Sequence, residues 1–140
     1  MIETPATLEN LSAFTDAARK AAVAAELPER RVNDVELAVE EIFVNICDHA
    51  SDSSGGTALS ARLEHDENDE TLKLVISDPG QPFNPLEHPE PDTNAHLEKR
   101  AVGGLGIFLV KKLMDDTLYE RLCGRNVLTL IVDKRSQRGN

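Results

Sequence analysis

The chain has 140 residues, an apolar share of 40% and a formal net charge of −10. This length predicts one domain with a hydrophobic core, spanning residues 1–140. The negative charge disfavours binding to nucleic acid phosphates or an anionic membrane surface, so the expected macromolecular partners are proteins.

The chain contains no apolar run near the roughly 18–20 residues of a membrane-spanning helix, and no basic segment followed by an apolar stretch that would indicate a secretion signal. We therefore expect a cytoplasmic protein. The two cysteines, Cys47 and Cys123, match no metal or redox spacing. They are predicted to be buried thiols in a reducing compartment.

Apolar residues between Leu8 and Ala22 recur at helical spacing and predict a first helix over residues 7–26, with Thr7 as its N-cap. Pro28 ends this segment. A second helix is predicted over residues 29–50, where an apolar stripe faces the core: Val32, Val35, Val39, Ile42 and Ile46.

The remainder of the chain reads as two strands, a long loop, a third helix and two last strands. Their predicted ranges are 57–64, 71–77, 79–102, 104–115, 117–122 and 126–134. This order predicts an α+β fold, a two-layer sandwich whose helices cover one face of a mixed, mostly antiparallel sheet.

A polar stripe on the second helix carries the first candidate site. Glu41, Asn45 and His49 are spaced i, i+4 and i+8 and share one side of the helix, flanked by apolar residues. Because a buried polar group needs a partner, the stripe favours a bound ion. Asn45 suits a Mg²⁺ ligand and Glu41 suits a general base. A solvated helix face is the alternative.

The second candidate follows the second strand, where Asp78-Pro79-Gly80 ends an apolar run. A carboxylate accepts hydrogen bonds only, so Asp78 would prefer an exocyclic amino group such as that of adenine. An ordinary Asp-Pro-Gly turn is the alternative.

The third candidate is Gly103-Gly104-Leu105-Gly106 at the start of the third helix. Glycines are unfavourable at a helix start unless the backbone must approach something closely, and free amides there bind phosphate. The pattern matches neither a Walker loop nor a Rossmann fingerprint. A flexible hinge before the helix is the alternative.

Together and in this order, the three motifs resemble the GHKL superfamily of gyrase-type ATPases and histidine kinases. The likeness covers about residues 5–134. It is most specific in Glu40-Glu41-Ile42-Phe43-Val44-Asn45, in Asp78-Pro79-Gly80-Gln81-Pro82-Phe83-Asn84-Pro85 and in Gly103-Gly104-Leu105-Gly106-Ile107-Phe108-Leu109. Within the superfamily the chain looks like the stand-alone anti-sigma-factor serine/threonine kinases.

The resemblance implies a Bergerat ATP-binding fold and a role for each matching position. Asn45 would ligate Mg²⁺, Glu41 would be the catalytic base and Asp78 would bind the adenine amino group. The remaining ATP contacts would come from Gly80, Phe83, Arg100, Gly103, Gly104, Leu105 and Gly106. Residues 84–102 would form the ATP lid, although Arg100 could equally be a surface residue.

The chain departs from the family pattern at two positions. Pro82 stands where relatives have the second glycine of the Asp-x-Gly-x-Gly box, and it would stiffen the first hinge of the lid. The last strand lacks the Gly-Thr pair found near adenine in many relatives. Thr129 falls two or three residues late, so that role is not carried over. His49 is interpreted as a capping or packing histidine.

The resemblance further implies phosphorylation of a STAS-type anti-sigma-factor antagonist, binding of a sigma factor or another regulator, and dimerisation through the first helix and the sheet edge. One alternative is a non-catalytic module that holds ATP or ADP and sequesters a regulator, although such a module needs no base at Glu41. Another is the ATP-binding domain of a histidine kinase. We do not expect this because no phosphoacceptor hairpin precedes the first helix.

Overall fold

The computed structural model describes residues 1–53, 59–87 and 104–135. Its helices are Leu11–Ala24 (α1), Glu29–Ser53 (α2) and Gly104–Leu113 (α3). Its strands are Ile2–Pro5 (β1), Ser60–Glu67 (β2), Thr71–Asp78 (β3), Asp116–Leu122 (β4) and Arg125–Asp133 (β5). Two short 3₁₀ turns lie at Leu8–Asn10 and Pro85–Glu87. None of the helices described is long and apolar enough to cross a membrane.

The five strands form one sheet in the order β1-β2-β3-β5-β4, and every neighbouring pair is antiparallel. Strands β3 and β5 lie at its centre. Their register places Asp78, the last residue of β3, opposite Asn126 near the start of β5.

The helices cover one face of this sheet. Along β3 and β5 every second residue is buried against them: Leu72, Leu74, Ile76, Leu128, Leu130 and Val132. Helices α1 and α2 meet through the rings of Phe14 and Phe43, whose centroids are 4.5 Å apart. The predicted two-layer α+β fold is confirmed.

A buried arginine ties the helical layer to the sheet. Arg31, near the start of α2, is only 1% exposed. It forms ion pairs with Asp34 at 2.7 Å and Asp115 at 3.1 Å, and it donates to the carbonyl of Leu113 at 2.9 Å. The end of α3 is thereby fixed to the start of α2, and Asp115 in turn accepts the amide of Asp133 in β5.

The sequence-based boundaries are wrong at the N-terminus. The edge strand β1 is too short to show a period, and it forms through its pairing with β2. The α-helix starts at Leu11 rather than near residue 7, and Leu8 is 63% exposed. Thr7 does not cap a helix with its side chain, and instead accepts a hydrogen bond from Asn10.

The prediction of two buried thiols is half wrong. Cys47 is buried in α2, but Cys123 is exposed. Cys123 and Gly124 form the tight turn between β4 and β5, and both have positive φ, at 52° and 75°. A two-residue turn of this kind projects from the end of the sheet, where no core can cover it.

Candidate functional site

A pocket of about 210 Å³ opens between α2 and the carboxyl end of β3. Its apolar side includes residues from α2 and the two central strands: Ile42, Ile46, Ile76 and Leu128. Its polar residues are Asn45, His49, Asp78, Gln81, Tyr119 and Asn126. Small-molecule sites commonly measure roughly 300–1,000 Å³, so this volume suits one part of a ligand, such as a planar ring, rather than a whole nucleotide.

The polar residues of the α2 stripe lie in two different environments. Asn45 and His49 line the pocket, whereas Glu41 lies one turn earlier and faces α3. Within the described residues, the side-chain amide of Asn45 makes no hydrogen bond and stands half-exposed at the pocket wall. Its oxygen is the kind of ligand that Mg²⁺ takes from proteins, so the residue fits a metal held mainly by phosphate and water.

No group of three or more His, Cys, Asp or Glu side chains in the described ranges could hold a metal ion by itself. A Mg²⁺ ion at Asn45 would therefore depend on oxygen atoms that a ligand brings with it. Mg²⁺ bound with nucleotide phosphates commonly uses only one or two protein ligands. The surroundings of Asn45 agree with that mode of binding.

Glu41 packs against the start of α3. A Cβ atom added to Gly106 would overlap Oε2 of Glu41, so only glycine allows this approach. Partial burial raises the pKa of the Glu41 carboxyl above its usual value near 4.5, and the neighbouring charge of Glu40 raises it further. In the part of the chain that the structure describes, Glu41 has no ion pair, which leaves its carboxylate available as a base.

Asp78 and Gly80 form a compact turn at the pocket rim. The amide of Gly80 donates to Oδ2 of Asp78 at 3.0 Å. A Cβ atom on Gly80 would lie 2.8 Å from that same oxygen and 3.2 Å from Leu59. Glycine at position 80 therefore lets the carboxylate remain beside the pocket.

Phe83 and His49 close one side of the pocket. Their rings are in contact, with centroids 3.9 Å apart and planes tilted by 38°. The interpretation of His49 as a packing residue agrees with this contact. Beyond Phe83, the ammonium of Lys111 in α3 donates to the carbonyl of Leu86 at 2.6 Å, which ties the segment after the pocket to α3.

Three of the predicted ATP contacts cannot be placed in full. Arg100 and Gly103 lie outside the described residues, as does most of the predicted lid over residues 84–102. Gly104 and Leu105 are the first two residues of α3, and the side chain of Leu105 is not described. The structure places the other predicted residues in two groups, with Glu41 against Gly106 and with Asn45, Asp78, Gly80 and Phe83 around the pocket.

The sequence analysis missed Asn126. This residue is 9% exposed and makes hydrogen bonds to Asp78, Gln81, Phe83 and Tyr119. Its position near the start of a predicted strand gives no motif of its own. The signal that could have found it is an asparagine at an inward position of an otherwise apolar strand.

A family model described as a histidine kinase-like ATPase domain matches residues 4–132. The chain belongs to the histidine kinase-like ATPase family. The resemblance that the three motifs predicted is confirmed at this level. The described residues form a five-stranded sheet covered by three helices, which is the fold expected of the family's ATP-binding domain.

Curated relatives of this ATPase domain include serine-protein kinases named RsbW. The one from Halalkalibacterium halodurans is 33% identical over 88 residues, which cover 60% of this chain and 52% of that protein. The one from Staphylococcus epidermidis is 28% identical over 110 residues, 76% of this chain and 69% of the relative. The one from Bacillus pumilus is 29% identical over 100 residues, with coverages of 69% and 62%. The chain thus spans about half the length of the first of these relatives.

Thr129 lies where it cannot serve the pocket of this histidine kinase-like ATPase domain. It pairs with Val75 and Leu118 and alternates with the buried residues Leu128 and Leu130. Its side chain is therefore on the sheet face opposite the helices. This geometry agrees with the expectation that Thr129 does not take the role of the family threonine.

Proposed function

We propose that this chain is an ATP-dependent serine/threonine kinase of the anti-sigma-factor type, built as a single domain over residues 1–140. Its substrate would be a hydroxyl on a STAS-type anti-sigma-factor antagonist, and its cofactor Mg²⁺. The serine-protein kinases named RsbW among its relatives support the reaction class. A sigma factor or another regulator would be its second partner, and the protein would act as a homodimer.

The observation that carries the proposal is the position of Glu41. The carboxylate has no ion pair among the described residues, has a raised pKa and contacts Gly106 at the start of α3. Helix N-termini bind phosphate groups, so the base would stand beside the phosphates. A pocket that only binds a nucleotide gains nothing from a carboxylate there, since the negative charge of the carboxylate would repel the phosphates.

The other residues would bind and orient. Asp78 would accept the adenine amino group, while Gly80 and Phe83 would shape the base pocket. Asn45 would help to hold Mg²⁺, which neutralises phosphate charge when bound. Glycine-motif amides and Arg100 would contact the phosphates. Glu41 would accept the proton of the substrate hydroxyl, since phosphoryl transfer needs little beyond positioning, charge neutralisation and a base.

The test is phosphorylation of a STAS-domain protein, ideally one encoded nearby, with this chain, ATP and Mg²⁺. Intact-mass measurement should show a gain of one phosphate on the STAS protein that requires both ATP and the kinase. A reaction with Glu41→Gln serves as the matched control and should show a strongly slowed gain. If Mg-ATP and the STAS protein both bind but no mass is gained, the chain is a sequestering module and the kinase proposal is wrong.

A further inference from the structure

The side chain of Asn126 uses its whole hydrogen-bonding capacity at the edge of the pocket. Its oxygen Oδ1 accepts hydrogen bonds from the hydroxyl of Tyr119 at 2.6 Å, the amide of Phe83 at 3.0 Å and the guanidinium of Arg121 at 3.3 Å. Its nitrogen Nδ2 donates to the carbonyl of Gln81 at 2.9 Å and to Oδ2 of Asp78 at 3.3 Å. An amide has two N–H donors, so both are used, and the donors around Oδ1 fix which way the group faces.

These contacts also determine how the Asp78 carboxylate is held. Its oxygen Oδ2 receives both internal donors, the amide of Gly80 at 3.0 Å and Nδ2 of Asn126 at 3.3 Å. Within the described residues, no group donates to Oδ1 of Asp78. One oxygen is thus anchored, while the other retains its full capacity to accept a hydrogen bond from a ligand.

Asn126 also holds the loop that forms the pocket rim. Its side chain donates a hydrogen bond to the carbonyl of Gln81 and accepts one from the amide of Phe83, the two residues on either side of Pro82. Proline has a fixed φ and no N–H, so this loop can form fewer internal backbone hydrogen bonds than a loop with glycine at that position. Arg121 adds a bond from its guanidinium to the carbonyl of Gly80 at 2.7 Å.

We infer that Asn126 is the positioning residue that sets base selectivity in this pocket. It anchors one oxygen of Asp78 so that the other faces the amino group of a 6-aminopurine, and it fixes residues 81–83 as the wall against which the base lies. This inference rests on the proposed nucleotide site. It assigns to Asn126 a function in choosing the base and none in holding metal or phosphate.

The test compares two nucleotides that differ only in the 6-amino group, from which Asp78 would accept a hydrogen bond. ATP and purine riboside triphosphate share the ring and the phosphates, but the second lacks the 6-amino group. Calorimetric titration with Mg²⁺ should show that the unmodified protein prefers ATP by about tenfold or more, the expected worth of one buried hydrogen bond to a charged acceptor.

In Asn126→Ala this preference should fall to within about threefold, because ATP loses the benefit of its extra hydrogen bond, whereas any loss through the loosened wall at residues 81–83 is common to both nucleotides. The ratio of the two affinities is informative because simple destabilisation of the fold would weaken the binding of both nucleotides equally. Thr129→Ala is the matched control, since it alters the same strand on the opposite face and should keep the preference. Asn126→Asp conserves the side-chain volume but replaces the Nδ2 donor with an oxygen acceptor that faces Asp78 and Gln81. It should also lose the preference, and it replaces the alanine variant if that variant does not fold.

The outcomes separate this inference from the proposed function. If the unmodified protein prefers ATP and both Asn126 variants keep that preference, Asn126 is only structural and the inference is overturned. If the unmodified protein binds both nucleotides equally or neither, the adenine site itself is wrong, and the inference falls with it. Loss of preference in the variants alone supports the assignment.

Discussion

The carboxylate of Glu41 lies directly against the backbone of Gly106, with no room between them for even a methyl group. This contact joins the middle of α2 to the first turn of α3. It places the candidate base beside the glycine motif that precedes and begins α3. Both residues were predicted site residues, but nothing in their sequence spacing indicated that they touch.

The first prediction concerns this contact. Gly106→Ala should slow phosphoryl transfer by about tenfold or more, because a displaced base is poorly aligned with the hydroxyl. The melting temperature should change little or rise, because the flexible end of Glu41 can turn away from the new methyl group and alanine in a helix is intrinsically favoured over glycine by about 1 kcal/mol.

A double-mutant cycle isolates the cause. In a Glu41→Ala background the steric conflict is absent, so Gly106→Ala should be more stabilising there than in the unmodified protein. A coupling free energy of about 0.5–3 kcal/mol is expected between the two positions from denaturant unfolding. Equal effects of Gly106→Ala in both backgrounds would show that the contact has no energetic consequence.

The second prediction separates chemistry from binding. Glu41→Gln keeps the shape of the side chain but cannot accept a proton, so single-turnover phosphorylation should fall by about 10²–10⁴-fold. Titrations should show nearly normal affinity for Mg-ATP and for partner proteins. Undiminished phosphorylation with normal folding would remove Glu41 from the mechanism.

The third prediction follows from the raised pKa of Glu41. The folded protein keeps the Glu41 proton to higher pH than the unfolded chain does, so the contribution of Glu41 to stability falls as pH rises from about 4.5 through the raised pKa. Glu41→Gln should therefore gain melting temperature relative to the unmodified protein across that window. A difference between the two proteins that does not change with pH would contradict the assigned pKa direction.

The fourth prediction concerns the metal. Asn45→Ala should lose most of the Mg²⁺-dependent part of ATP affinity, because the pocket then offers no amide oxygen at that position. Asn45→Asp retains an oxygen ligand and should keep a larger share of the Mg²⁺-dependent affinity. Calorimetric titrations with and without Mg²⁺ measure this directly, and unchanged metal dependence in Asn45→Ala would exclude the ligand role.

The fifth prediction concerns the two thiols. Cys123 is exposed, whereas burial and the nearby Asp48 raise the pKa of the Cys47 thiol to about 11. In native protein near neutral pH, a thiol reagent should therefore modify Cys123 rapidly and Cys47 slowly, and unfolding should equalise the two. Cys123→Ser should abolish the rapid phase. Fast labelling of Cys47 in that variant would contradict the structure.

Much of the architecture could be predicted from the sequence, since it depends on local periodicity. The apolar stripe of α2 and the alternation in β3 and β5 each repeat over several turns or residue pairs, so their positions and types were clear. The same is true of the three motifs. Each is a run of neighbouring residues whose order along the chain is enough to indicate the family.

The contacts between motifs were decided only by tertiary structure. Asn126 meets Asp78, 48 residues away, because the register of β3 against β5 puts them side by side. Gly106 meets Glu41 because α3 packs across α2, an arrangement that Arg31 helps to fix. Local periodicity says which face of an element is buried but not which residue of another element lies opposite. Register and helix packing supply that information.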